Sequence, residues 1–484
     1  MAWNWGHKAS SWGGSWSAAA LGMAGLFRAE SAWAAGADHI DGAALSVWWA
    51  VPFAGLLLSI AILPLAAPGI WHRHYGKIAA AWALAFVGPA AAVLGPSVAL
   101  YEVMHTAFLE YVPFLILLYA LYTVAGGVLV KGNLHGSPGL NTAMLGIGTG
   151  IASVTGTTGA AMLLIRPVIR ANDDRRHNAH VVVFFIFLVA NIGGSLTPLG
   201  DPPLFLGFLK GVDFFWPTVH LIAPMAMVVA ILLATFFALD WYLFRIDTAR
   251  PPKPDPTPDS RLRIEGWSNV ALLGAILGAV LMSGVWKPGL AVTLNHIAVE
   301  LQNIVRDALL LFIAWVSVKT TRRSVRDGNG FTWGPILEVA KLFAAIFVTI
   351  IPAIAILRAG TEGALAPLVR LVTDESGTPI EAMYFWMAGG LSSFLDNAPT
   401  YLVFFNMAGG DAETLMGPLA GTLAAISAGA VFMGANTYIG NAPNFMVKAI
   451  AEEKGVKMPS FFGYMLWSGA VLLPCFVLVT WVFF

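Results

Sequence analysis

Charge is what this sequence has least of. Asp, Glu, Lys and Arg make up only 11% of its 484 residues, whereas a soluble chain carries about 25%. The 27 basic residues match 27 acidic ones, so no nucleic-acid partner is implied. Cysteine is almost missing. Cys475 stands alone, forms no intramolecular disulfide and reads as a small core or lipid-facing residue. No G-x-x-x-x-G-K-[S/T] loop appears, and no soluble domain is long enough to supply one, which argues against an ATP-driven pump. What remains is apolar: 58% of residues are hydrophobic and mean hydropathy is +0.74. Recurrent apolar runs of about 20 residues describe an all-α polytopic membrane protein, with the lipid bilayer as its main partner.

The apolar spans fall at 46–67, 78–100 and 106–130, followed by a hairpin pair at 142–170, a broken segment at 179–209 and a span at 215–244. Residues 245–266 form a linker: Pro251, Pro252, Pro254, Pro256 and Pro258 with mixed charges do not make a helix. The series then returns, with spans at 267–286, 301–318 and 332–357, a hairpin at 380–409, a broken segment at 414–450 and a span at 460–482. The domains are therefore 37–244 and 267–484. Residues 1–36, rich in Trp and closed by Ala32-Trp33-Ala34, read either as a cleaved signal segment or as an interfacial tail.

Lys and Arg placement orients the chain. Arg73, Lys77, Lys131, Arg166 to Arg176, the linker, Lys319 to Arg326, Lys454 and Lys457 share one side if both hairpins re-enter the side they came from. That side is the cytoplasm. Each half then crosses five times, so the halves are inverted. His72, Arg73 and His74 read as a solvated turn, and Glu338 with Lys341 as an i, i+3 pair. Glu110 lies inside a span, and His177 and His180 near a span end could sense pH.

The stretch Asn191 to Pro203 organises the rest. It lies at membrane depth, yet Gly193, Gly194, Pro198, Gly200, Pro202 and Pro203 preclude a regular helix. Unwound backbone at that depth must line a cavity or be covered by protein, and a polar, acidic one is a binding-site hypothesis. The second half repeats it. Leu199-Gly200-Asp201-Pro202-Pro203 maps onto Ile439-Gly440-Asn441-Ala442-Pro443 with an offset of 240, from 201 to 441. The same offset takes Thr197 to Thr437 and Gly156-Thr157 to Asp396-Asn397. Interrupted helices at corresponding places in two inverted halves mark secondary transporters, with substrate at the midplane.

The N-x-G-G…T-x-x-G-D stretch at 191–201 and the hairpin pair Asp396-Asn397 resemble the ion-transporter superfamily. The likeness is to its NhaD-type sodium/proton antiporters and its citrate transporter branch, and it covers nearly the whole chain. It implies a scaffold subdomain, a transport subdomain of two re-entrant hairpins and two broken helices, a homodimer, and the plasma (inner) membrane. The pattern departs in one respect. NhaD-type antiporters carry Asp-Asn at the first hairpin tip, which here reads Thr155-Gly156-Thr157-Thr158, and the pair sits in the second hairpin. The Ser-Asn-Thr tips of the carrier group are intact in neither.

Asp201 and Asp396 are the candidate ion-binding acids. A carboxylate in a low-dielectric cavity holds either a proton or a cation, and that competition is the chemistry of exchange. Na⁺ is the candidate metal at these two residues, and hard cations take oxygen ligands. Asn191, Ser195, Thr197, Thr157, Asn397, Asn436, Thr437 and Asn441 offer side-chain oxygens, and the carbonyls of Gly193 and Gly194 offer backbone ones. The competing structural reading makes Asp201 and Asn441 helix N-caps. On these residues Na⁺ or Li⁺ exchange for H⁺ comes first, with transported ions and no resident cofactor. Symport of citrate or another organic anion with Na⁺ or H⁺ is the alternative, and a neutral oxyacid such as arsenite a third. An intramembrane aspartyl hydrolase is disfavoured, because the two acids come from different motif positions.

Overall fold

The computed structural model describes residues 40–249 and 260–484. Eight helices among them are long and apolar enough to cross a membrane: Val47–Ala66, Pro68–Val93, Pro96–Ala125, Trp216–Thr248, Trp267–Val285, Leu301–Thr320, Gly334–Arg358 and Phe461–Phe483. Their outer faces leave large apolar side chains uncovered, among them Leu84, Phe312, Leu466 and Trp481. A belt of that kind suits lipid and would be costly in water.

Two shorter apolar segments, Ala179–Gly194 and Ala420–Asn436, take the opposite place. Val181 to Ala190 and Leu423 to Met433 are covered on every side, which is why these sequences are apolar all round. Both segments break. The helix Ala179–Leu188 passes through the 3₁₀ turn Ile192–Gly194 and resumes only at Pro202–Leu209. The helix Ala420–Met433 passes through Gly434–Asn436 and resumes at Ala442–Glu453. Proline opens each resumed helix, where an N–H has no helical partner to lose.

A helical hairpin precedes each broken segment. Pro138–Thr155 and Thr157–Arg170 meet at Gly156, and Glu381–Phe394 and Asn397–Met407 meet at Leu395-Asp396. Gly156 turns with φ of +78°, a conformation that a Cβ disfavours.

Several boundaries differ from the sequence reading. The first two spans are the helices Val51–Ala66 and Pro68–Val93, separated by Ala67 alone, because Pro68 starts a new helix. His72, Arg73 and His74 are therefore helical, not a turn. The third span begins at Pro96 and contains a π turn, Ala107–Tyr111. Of the expected linker, Arg245 to Thr248 continue the helix Trp216–Thr248, and Ser260–Glu265 is a strand paired antiparallel with Leu129–Asn133. Its five prolines lie outside the described residues, as does the expected signal segment or tail at 1–36. A second strand pair, Ala291–Leu294 with Ile297–Glu300, turns on Asn295 and His296, both at positive φ as a two-residue hairpin requires. Glu338 and Lys341 do not pair with each other. Glu338 takes a hydrogen bond from Trp71, and Lys341 lies over the Tyr75 ring.

Candidate functional site

Asp201 is the hub of the centre. Thr157 Oγ1 donates to its Oδ1 at 3.0 Å, Asn441 Nδ2 donates to the same oxygen at 3.2 Å, and Asn397 Nδ2 donates to Oδ2. All four side chains are buried. Thr157 and Asn397 begin the second helices of the two hairpins, and Asp201 and Asn441 precede the two resumed helices. Two pairs of residues related by the 240-residue offset thus meet at one carboxylate. Four helix N-termini, the positive ends of the helix dipoles, open onto the same point. No Lys or Arg pairs with Asp201 among the described residues.

The capping reading separates the acids. Asp201 and Asn441 stand at N-cap positions yet make no capping hydrogen bond; both side chains reach across to the other half instead. Asp396 does the reverse. Its carboxylate accepts from Ala398 N at 3.0 Å and caps Asn397–Met407, while its neighbour Asn397 supplies the contact to Asp201.

A second tier holds the hub. Asn191 Nδ2 donates to Ile186 O at 2.8 Å and to Asn444 Oδ1 at 2.7 Å, and Asn191 Oδ1 accepts from Asn441 at 3.3 Å. Asn444 Nδ2 in turn donates to Gly434 O and Thr437 O, both at 2.9 Å. The sequence reading missed Asn444. Its counterpart at the same offset is Leu204, so the repeat itself carries no signal for it.

Thr197 and Thr437 brace the breaks. Thr197 Oγ1 donates to Ser153 O, Thr437 Oγ1 to Ser393 O, and each hydroxyl accepts from the backbone two residues on at 3.2 Å. Ser153 Oγ donates to Gly193 O at 2.6 Å, and Ser393 Oγ to Met433 O at 3.1 Å. Gly194 and Gly200 pack backbone to backbone: a Cβ on Gly200 would lie 2.1 Å from Gly194 O. Of the expected glycine carbonyl ligands, Gly193 O thus accepts from Ser153 of the first hairpin, and Gly194 O packs against Gly200 within the break. Three buried oxygens of the expected set have no hydrogen-bond partner: Ser195 Oγ, Asn397 Oδ1 and Asn436 Oδ1.

A cavity of about 130 Å³ adjoins the hub, bounded by Thr157, Leu199, Asp201, Phe205, Ile336 and Met446. Water takes about 30 Å³ per molecule, so this is a space for several waters or a small solute. Among its described lining residues Asp201 is the only charged one.

Residues 42–484 match a family described as "Putative citrate transport". The chain belongs to that family. It is one of membrane transporters within the ion-transporter superfamily, not an enzyme family. No curated protein matches the chain.

Proposed function

We propose that the protein is a secondary transporter of a small organic anion of the citrate class, coupled to a proton or Na⁺ taken up at Asp201. The observation that carries this reading is a buried carboxylate held only by neutral donors at the meeting point of four helix N-termini. An unpaired buried carboxylate is costly, so it takes up a proton or a cation. While Asp201 is ionised it repels an incoming anion. Once it is neutralised, the helix N-termini dominate the local field and favour the anion. Cation first, anion second is thus an electrostatic order, and it couples the two fluxes. The family description supports citrate as the type of cargo.

In this reading the halves are inverted repeats, and the hairpins re-enter and carry the site with the broken helices. The protein is a homodimer in the plasma membrane with the linker in the cytoplasm. Asp201, Thr157, Asn397 and Asn441 hold the coupling ion, Asn191 positions them, and Ser195 and Asn436 supply further oxygens. Asp396 shapes the tip of the second hairpin. Exchange of Na⁺ or Li⁺ for H⁺ is the second reading. It is favoured by a cavity that presents no Lys or Arg among its described lining residues.

Proteoliposomes separate the two. Labelled citrate should accumulate under an inward Na⁺ or H⁺ gradient. Collapse of an imposed pH gradient by Na⁺ or Li⁺ without citrate, together with no citrate uptake, would replace symport with exchange.

A further inference from the structure

A larger cavity, about 520 Å³, lies between the resumed helix Pro202–Leu209 with the start of Trp216–Thr248 on one side and Trp267–Val285 with Leu301–Thr320 on the other. Lys and Arg placement assigns its rim to the outside. Two side chains of Leu301–Thr320, Gln302 and Arg306, line it one helical turn apart and are 4% and 1% exposed. Each is only partly satisfied. Arg306 Nε donates to Asp307 at 2.8 Å and Nη1 to Asn303 at 3.0 Å, but Nη2 has no partner. Gln302 Nε2 donates to Glu300 at 2.6 Å, but Oε1 has no partner. A buried guanidinium donor and a buried amide acceptor thus stand on one face, at the i, i+4 spacing that places side chains about 5–6 Å apart.

We propose that this cavity is an outer recognition site for a hydroxycarboxylate. One carboxylate of the ligand accepts from Arg306 Nη2, and its hydroxyl donates to Gln302 Oε1. Asp213 and Glu300 also line the cavity, with Lys287 and His220. Asp213 and Glu300 are exposed at the rim, so the buried charged group facing the space is Arg306, which is ion-paired with Asp307 through Nε and leaves Nη2 for a ligand. The site adjoins the central one. The Arg306 guanidinium carbon lies 5.9 Å from the centroid of the Phe205 ring, and Phe205 also lines the cavity beside Asp201. Phe205 therefore divides an outer chamber with a cation from an inner chamber with an acid. Anion selection falls to the outer chamber, because Asp201 supplies none until it is neutralised. The role of the bound anion as cargo rests on the transport reading above. The chemistry of the site does not.

The test uses the purified full chain, with citrate and with tricarballylate, which lacks only the hydroxyl. Equilibrium binding and gradient-driven uptake are both measured. Arg306→Gln should weaken citrate binding and raise the KM for citrate uptake at least tenfold. Gln302→Leu, which leaves the Arg306–Asp307 pair untouched, should erase the preference for citrate over tricarballylate, and it carries the test if Arg306→Gln does not fold. Citrate uptake by the unmodified chain with neither variant altering affinity or preference would overturn this site and leave the transport reading standing. Citrate binding that both variants weaken, without citrate uptake, would uphold the site and overturn the transport reading. No citrate binding at all would overturn both.

Discussion

The two broken segments share a skeleton and differ in what they show the centre. In each, a threonine hydroxyl ties the break to a hairpin serine carbonyl, and that serine's hydroxyl returns to a carbonyl of the break. The similarity extends to glycines packed backbone to backbone, Gly194 with Gly200 and Gly434 with Gly440. At the hub the equivalents diverge: Asp201 faces Asn441, Thr157 faces Asn397, and Asn191 and Asn444 have Val431 and Leu204 as counterparts. Backbone bracing is thus duplicated, while charge and the amide tier occur once. The shared residues brace the fold, and in the proposed reading function is concentrated where the likeness fails.

The comparison can be broken from the hub outward. Asp201→Asn makes the two segments alike at their central position, and should abolish gradient-driven uptake while folded protein is still recovered from the membrane. Asn397→Thr makes the hairpin tips alike and removes a donor to Asp201. That bond stabilises the empty, ionised Asp201 by about 1.5–3 kcal/mol, so its loss favours the neutralised form, and the proton concentration giving half-maximal proton-driven uptake should fall about ten- to a hundredfold. Ser153→Ala and Ser393→Ala strike the shared skeleton. Each should lower thermal stability by about 1 kcal/mol, to a similar extent, with uptake still coupled; unequal losses would show that the braces are not equivalent. Asp396→Asn should do least, because Asn caps a helix as well as Asp does. A loss of coupling there as large as in Asp201→Asn would return Asp396 to the ion site.

Much of this was legible in the sequence because apolar runs tolerate so little else. Glycine, proline and an acid within them located both breaks and both hairpin tips. Which way each carboxylate turns was not legible. Asp201 and Asp396 both precede a helix, so both carry the capping signature. The choice between cap and hub is made by the opposite half of the molecule, 196 residues away in the Asp201–Asn397 contact. Asn444 was hidden for a related reason, since it belongs to no repeated motif. Arg306 and Gln302 escaped notice because a charged residue near a span end reads as an interfacial one until the neighbouring helices cover it.

The most direct measurement compares labelled citrate accumulation in proteoliposomes containing the unmodified chain with accumulation by Asp201→Asn, under the same inward Na⁺ and H⁺ gradients. The account predicts accumulation above equilibrium for the unmodified chain and none for the variant. Equal gradient-driven accumulation by both would remove Asp201 from the coupling step and contradict the central claim.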